Sequence, residues 1–142
     1  DETDCGAACI AMIAMHYGLH RSITSIRQVS GTDTKGTNLA GMVQASKKLG
    51  FDAHALKGNA DALTPDLPVP FIVHLARPSD RGTLMHFAVV KKITKKKVFL
   101  LDPDSSFGRH SMPKEEFLKI WTGTIQSWAS GVLHYRAGRG SV

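Results

Sequence analysis

The stretch DETDCGAACIAMIAMHYGLH carries Cys5, Cys9, His16 and His20 in the spacing C-x3-C-x6-H-x3-H. Thiols and imidazoles grouped in this way suggest four chemistries for Cys5: metal ligation, a disulfide, core packing or nucleophilic attack. The zinc reading suffers from its spacer, because a Cys2His2 module separates its two pairs by about 12 residues. No metal site is therefore expected. A disulfide suits Cys5 and Cys9 poorly, since their Cβ directions on one helix face do not favour a bridge. Two cysteines in 142 residues do not make a disulfide scaffold, and a reducing compartment is the simpler expectation.

Core packing suits Cys9, which lies mid-run between apolar neighbours. Cys5 stands instead at the mouth of the apolar run, followed by Gly6, which lets another chain approach closely. Thr3 or Asp4 is placed to cap a helix there. The unpaired amides at a helix start favour an anion, and a thiolate is the attacking species. The same backbone N–H groups, near Cys5 and Gly6, are suited to hold an oxyanion. Such a nucleophile needs a base, and the base needs an orienting partner.

Seven histidines are available, so a histidine alone carries little information. His86 is distinguished by its frame, LMHFAVV followed by VFLLDP. A hairpin turn centred near Thr94 and Lys95 puts His86 opposite Asp102 or its near neighbours. A carboxylate then holds one ring nitrogen and leaves the other for Cys5. Pro103 ends the ladder just beyond. His54 and His74 lie in strand-like runs without a matched acid at hairpin spacing. His16, His20, His110 and His134 lie at element ends or in loops.

The elements that must position these groups follow from periodicity. AACIAMIAM reads as a buried helix that Gly18 ends. SITSIRQV reads as a short helix capped by Ser22, and SGTDTKG as a loop. TNLAGMVQASKKLG is helical, with Gly50 as its stop. The period then changes. FDAHAL reads as a strand, Asn59 as the cap of a single helical turn, and TPDLPVP as a connector. VPFIVHL, LMHFAVVKKI and KVFLLDP read as strands, with ARPSDRGT a loop and a short lysine turn between the last two. SSFGRHSM carries a further strand, PKEEFLKIW a short helix with Pro113 at its first position, and TIQSWAS a last strand. Helices precede antiparallel strands, an α+β layout.

Composition bounds the rest. Apolar residues make up 42% and charged residues 21%, as in an ordinary globular domain. No apolar run approaches the roughly 18–20 residues of a membrane span. No basic-then-apolar signal leader is visible. The first residue is Asp, so a piece of something longer is expected. The net charge is +6, and Lys91, Lys92, Lys95, Lys96 and Lys97 cluster. Aromatics do not interleave with them, so the run reads as a solvated hairpin tip, and no nucleic-acid partner is expected.

The segments DCGAACIAMIAMHYG, GTNLAGMVQASKKLGFDAHALKG, LPVPFIVHL, MHFAVVKKI, VFLLDP and PKEEFLKIWTG resemble, in order, the C39 peptidase domain. That domain is the cytosolic N-terminal protease of peptidase-containing ABC transporters that export bacteriocins and related peptides. The resemblance spans about residues 1–128, and residues 129–142 look like a linker or tail. It implies a papain-like α+β fold and cleavage of a leader peptide after a double glycine. It implies Cys5 as nucleophile, His86 as general base and acid, and Asp102 as orienter. It implies no cofactor for the peptidase, with ATP used by an ATPase domain outside this chain. Its implied partners are the leader of a secreted precursor, bound as an amphipathic helix in a shallow groove, and the transporter's membrane and ATPase domains. The implied location is the cytoplasmic face of a bacterial inner or plasma membrane.

One position departs from the pattern. The family places an oxyanion-binding glutamine six residues before the cysteine, and counting back from Cys5 passes residue 1. Gln28, Gln44 and Gln126 are not at that position. Some members of the family lack the cysteine and act only as docking domains, and the presence of Cys5 argues for the enzyme. The rival readings are such a non-catalytic docking module and a free-standing papain-like hydrolase or transferase.

Overall fold

The computed structural model describes residues 5–22, 24–26, 39–80, 82–104 and 106–127. Helix α1 (Cys5–His16) comes first, and α2 (Leu39–Lys48) follows. Strand β1 (His54–Lys57) and a 3-10 turn (Ala60–Ala62) lead to β2 (Phe71–Ser79), β3 (Gly82–Ile93), β4 (Lys97–Leu101) and β5 (Arg109–Pro113). Helix α3 (Lys114–Ile120) runs directly into β6 (Trp121–Ser127). The strands form one antiparallel sheet in the order β1-β6-β2-β3-β4-β5.

Local signals explain most boundaries. At the end of α1, Leu19 N–H donates to the Ala14 carbonyl and Gly18 N–H to that of Met15. This is a Schellman closure, and it needs the left-handed φ of +85° that Gly18 adopts. Gly50 closes α2 in the same way, with Phe51 bonded to Ser46 and Gly50 to Lys47. Residues 24–26 are helical, and Ser22 Oγ accepts from Ser25 N–H at 3.0 Å, as its capping role requires. Asn59 Oδ1 likewise accepts from Asp61 N–H at 3.0 Å to start the 3-10 turn. The expected caps Thr3 and Asp4, the rest of the SITSIRQV helix, the SGTDTKG loop and residues 129–142 lie outside the described residues.

β2 and β3 are buried on both faces, which is why FIV and FAVV are unbroken apolar runs. One core joins Cys9, Ile10 and Ile13 of α1 and Met42 and Ala45 of α2 to Ile72, Phe87 and Val89. The other packs Phe117 of α3 against Phe71, Val73, Leu75, Ala88, Val90 and Leu100. Gln126 ties the last strand to α2: its Nε2 donates to Ser46 Oγ at 2.8 Å, and Ser46 Oγ donates to the Met42 carbonyl.

Several boundaries differ from the expectations above: β1 starts at His54 rather than at Phe51, and Pro113 ends β5 and precedes α3 rather than opening it. ARPSDRGT is largely strand rather than loop, because β2 continues through Pro78 to Ser79 and β3 starts at Gly82. Proline is tolerated there because the pairing of β2 with β6 ends at Leu75, leaving Pro78 on an edge. Trp121 belongs to β6 rather than to the preceding helix. The lysine tip matches its solvated reading: Lys95, Lys96 and Lys97 are exposed, and Thr94 Oγ1 accepts from Lys97 N–H at 2.9 Å to close the turn.

Candidate active site

Cys5 opens α1 and is nearly buried, with a free thiol. His86 lies on β3 and Asp102 one residue past the end of β4. The hairpin register sets their approach. Val89 faces Leu101 and Val90 faces Leu100, so Asp102 falls across from Ala88 and reaches His86 along the diagonal. A bulge between Val90 and Lys92 absorbs one residue near the turn, which is why the pairing is diagonal rather than directly opposite.

The contact is short. His86 Nε2 donates to Asp102 Oδ1 at 2.6 Å, with the two side chains 6% and 0% exposed. The same oxygen accepts from Asp104 N–H at 2.9 Å, and the Asp102 amide donates to the Gly108 carbonyl. The Cys5 side chain is close enough to His86 to raise its pKa, and Nδ1 is the ring nitrogen that Asp102 leaves free. Burial works against a charged ring here. The hydrogen bonds to Asp102 and Cys5, and the charges on both, outweigh it and raise the His86 pKa to about 9. Cys9 is fully buried one turn along, and burial first, then the charges of Cys5 and Asp102, push its thiol well up. Cys9 is thus a packing residue.

The other candidates separate from this centre. His16 is exposed at the far end of α1, about 16 Å along the axis from Cys5 by helical rise, and His20 is exposed beyond it. The C-x3-C-x6-H-x3-H spacing therefore does not converge on one point. His74 stacks on Phe87 at 4.5 Å, and its pKa is lowered by burial and then by the charge on His86. His54 pairs instead with Asp52, two residues before it, at 3.1 Å on the surface. His110 Nδ1 donates to the Gly108 carbonyl at 3.3 Å. Gln126 is spent on Ser46, Gln44 is exposed on α2, and Gln28 and His134 lie outside the described residues.

Sequence reasoning missed Arg77. Its Nη2 lies 3.4 Å from Asp102 Oδ2, the oxygen His86 does not use, and its side chain is 12% exposed. Its guanidinium carbon sits 4.4 Å from the centre of the Phe107 ring. The signal was the length of β2: alternation through Pro78 puts Arg77 on the side of the β2–β3 pair that carries His86.

The profile of the peptidase C39 family matches residues 1–131. The chain belongs to the peptidase C39 family. This C39 domain is 40% identical over 126 residues to the lactococcin-G-processing and transport ATP-binding protein of Lactococcus lactis, covering 88% of this chain and 17% of that one. It is 37% identical over 123 residues to the pediocin PA-1 transport/processing ATP-binding protein of Pediococcus acidilactici, covering 86% and 17%. The chain thus spans about one-sixth of the length of the curated relatives it matches. The peptidase domain of Streptococcus ComA, a bi-functional ABC transporter involved in quorum sensing, superposes with a TM-score of 0.82 at 38% identity, covering 89% of this chain and 91% of that one. A double glycine motif protease from an AMS/PCAT transporter, solved with its leader peptide, superposes at 0.76 and 25% identity, covering 89% and 84%. The fold of this C39 cysteine peptidase domain is the papain-like α+β arrangement read from the sequence.

Proposed function

We propose that this domain is a cysteine endopeptidase that removes the leader of a bacteriocin-like precursor after a double glycine, coupled to export by a parent ABC transporter. One observation carries the assignment of roles: His86 is hydrogen-bonded to Asp102 and interacts with the side chain of Cys5, all three nearly out of water.

In this reading His86 Nδ1 takes the proton of Cys5, giving a thiolate–imidazolium pair. The raised pKa of His86 keeps the ring protonated at neutral pH once the pair has formed. The thiolate attacks the carbonyl carbon of the second leader glycine. Backbone N–H groups near Cys5 and Gly6, at the start of α1, receive the oxyanion. The family places a glutamine six residues before the cysteine, and such a residue, where the chain extends that far, would add a donor. The C–N bond breaks as His86 gives its proton to the leaving amine, and water then hydrolyses the thioester and frees the leader. Every group that moves a proton is a side chain of this chain or water. ATP serves the ATPase portion of the parent transporter.

Substrate binding is assigned to two features. Cys5 is nearly buried, so a backbone without side chains reaches it more readily than a bulkier one, which makes double glycine a specificity element. A largely apolar recess of about 290 Å³, lined by Met12, Ile13, Val69, Pro70, Val89 and Leu101 together with His16 and Lys91, receives the apolar face of the leader helix. It adjoins Asp102 through Leu101 and lies along α1 from Cys5. No helix among the described residues is long and apolar enough to cross a membrane. The proposed location, at the cytoplasmic membrane face, therefore depends on the parent's membrane domain.

The test is cleavage of double-glycine leader peptides, read by mass spectrometry, with Cys5→Ala and an upstream extension carrying a glutamine run alongside. A cut after the second glycine that Cys5→Ala abolishes is the expected result. Cutting only by the extended version would place the deficit in the oxyanion site. Leader binding without cutting in every form that keeps Cys5 would overturn the peptidase reading in favour of a docking module.

A further inference from the structure

We propose that Arg77 is a positioning residue of this centre: its guanidinium anchors Asp102 Oδ2 so that Oδ1 is aimed at His86, and Phe107 covers the anchor. The inference rests on the role proposed above for the Cys5–His86–Asp102 group.

Three observations carry it. First, the two oxygens of Asp102 have separate partners, His86 Nε2 and Asp104 N–H on Oδ1 and Arg77 Nη2 on Oδ2. A carboxylate held at both oxygens cannot rotate, so the bond to His86 keeps its direction. Second, the loop after Asp102 is folded to place the cover. Asp104 Oδ1 accepts from Ser106 N–H, and the Asp104 carbonyl accepts from the amides of Phe107 and Gly108. That tight wrap sets the Phe107 ring over the guanidinium while leaving Phe107 41% exposed. Third, Arg77 Nε is buried without a partner among the described residues. An orphaned buried donor is costly to the fold. A side chain retained for packing alone has no need of that donor, whereas an ion pair to Asp102 does offset it.

The charge environment gives the inference a sign. The groups coupled by charge to His86 and Asp102 are Cys5 and Cys9 from α1, His74 and Arg77 from β2, and Asp104 from the loop after β4. Arg77 shares the negative charge of Asp102 with His86. Removing the guanidinium leaves that charge to His86 alone, so the ring holds its proton to higher pH. A loss of packing without this charge effect would leave the ring where it is or lower it.

The experiment compares the full chain with Arg77→Met, Arg77→Lys and the surface variant Phe107→Leu, each checked for an intact thermal melt. One readout is the pH profile of Cys5 alkylation by iodoacetamide, mapped by peptide mass so that Cys9 is counted separately. It needs no peptide substrate. The other is kcat and KM on a double-glycine peptide. In Arg77→Met the pH at which the paired thiolate gives way to the free one rises by about one unit. Its kcat falls about tenfold, the scale of partners that act through another group, and KM changes little. Arg77→Lys recovers most of both effects, and Phe107→Leu shows a smaller shift in the same direction. Should Arg77→Met not fold, the Lys and Leu variants carry the same test. An unchanged alkylation profile in the variants, or equal losses in Met and Lys, overturns the inference. A wild-type chain that shows the paired-thiolate profile but cuts no double-glycine peptide overturns the substrate reading and leaves the role of Arg77 standing.

Discussion

His86 Nε2 and Asp102 Oδ1 lie 2.6 Å apart, and water reaches almost none of either side chain. The carboxylate holds a proton on the ring that an isolated imidazole would release near its ordinary value of 6.5. Because the folded value, about 9, lies above the unfolded one, protonated His86 stabilises the fold. That contribution is complete below pH 6.5 and is lost as pH rises through about 9. Its size is on the order of 3 kcal/mol. Urea melts between pH 6 and 10 should show stability falling across this window, and His86→Gln should flatten the dependence. A wild-type chain whose stability rises from pH 7 to 9 would contradict the assignment.

Asp102→Asn discriminates the charge of this residue from its shape. An amide keeps one acceptor for His86, but its NH2 must then face Arg77, donor against donor. Turned over, the NH2 meets the ring nitrogen instead. Turnover should fall about 10–100-fold, with the basic limb of the pH profile moved down as the negative charge is lost. Adding Arg77→Met to Asp102→Asn should restore part of the loss, because the clash disappears. Strict additivity of the two substitutions in a double-mutant cycle would show that the residues do not communicate.

The recess assignment predicts a different kinetic signature. Val69 is 39% exposed on its rim, so a polar residue there should be tolerated by the fold. Val69→Asp should raise KM for a leader peptide about tenfold, one charged intrusion into an apolar contact, while leaving kcat near wild type. Fluorescence anisotropy with a labelled leader measures the same loss as binding. Equal leader affinity in the two proteins would remove the recess from the substrate path.

Two glycines with positive φ should respond unequally to alanine. Gly18 (φ +85°) has open space where a Cβ would stand, so Gly18→Ala meets only backbone strain, about 1–2 kcal/mol. Gly123 (φ +92°) would put its Cβ 3.2 Å from the Gly58 carbonyl oxygen, in the β1–β6 edge of the sheet. That backbone cannot swing aside, and Gly58 N–H already donates to the Gly123 carbonyl at 2.8 Å. Gly123→Ala should therefore be the more destabilising in urea melts. The reverse order would mean that the sheet edge yields more readily than the helix end.

Features set by neighbours in the chain were legible before the fold was known. The stops at Gly18 and Gly50, the Ser22 and Asn59 caps and the hairpin around Thr94 each depend on a few consecutive residues. The His86–Asp102 contact belongs with them, because a short turn transmits its register along two antiparallel strands. Arg77 was hidden behind a local rule that held only in part. Pro78 reads as a strand breaker, yet on an edge its missing N–H removes no ladder bond.

The tertiary structure alone decided the rest. Residues 5–16 and 82–93 meet only because α1 packs across β3, so no periodicity could reveal the approach of Cys5 to His86. The last strand inserts between β1 and β2, where Gln126 finds Ser46, a partner far from it in sequence. The same folding brings Phe107 over Arg77, and Arg77 to the far oxygen of Asp102. Helix ends and turns are short-range, decided by dihedral preference and single hydrogen bonds. The site is long-range, decided by which apolar faces bury one another, and chemistry is assembled where those faces bring distant polar groups together.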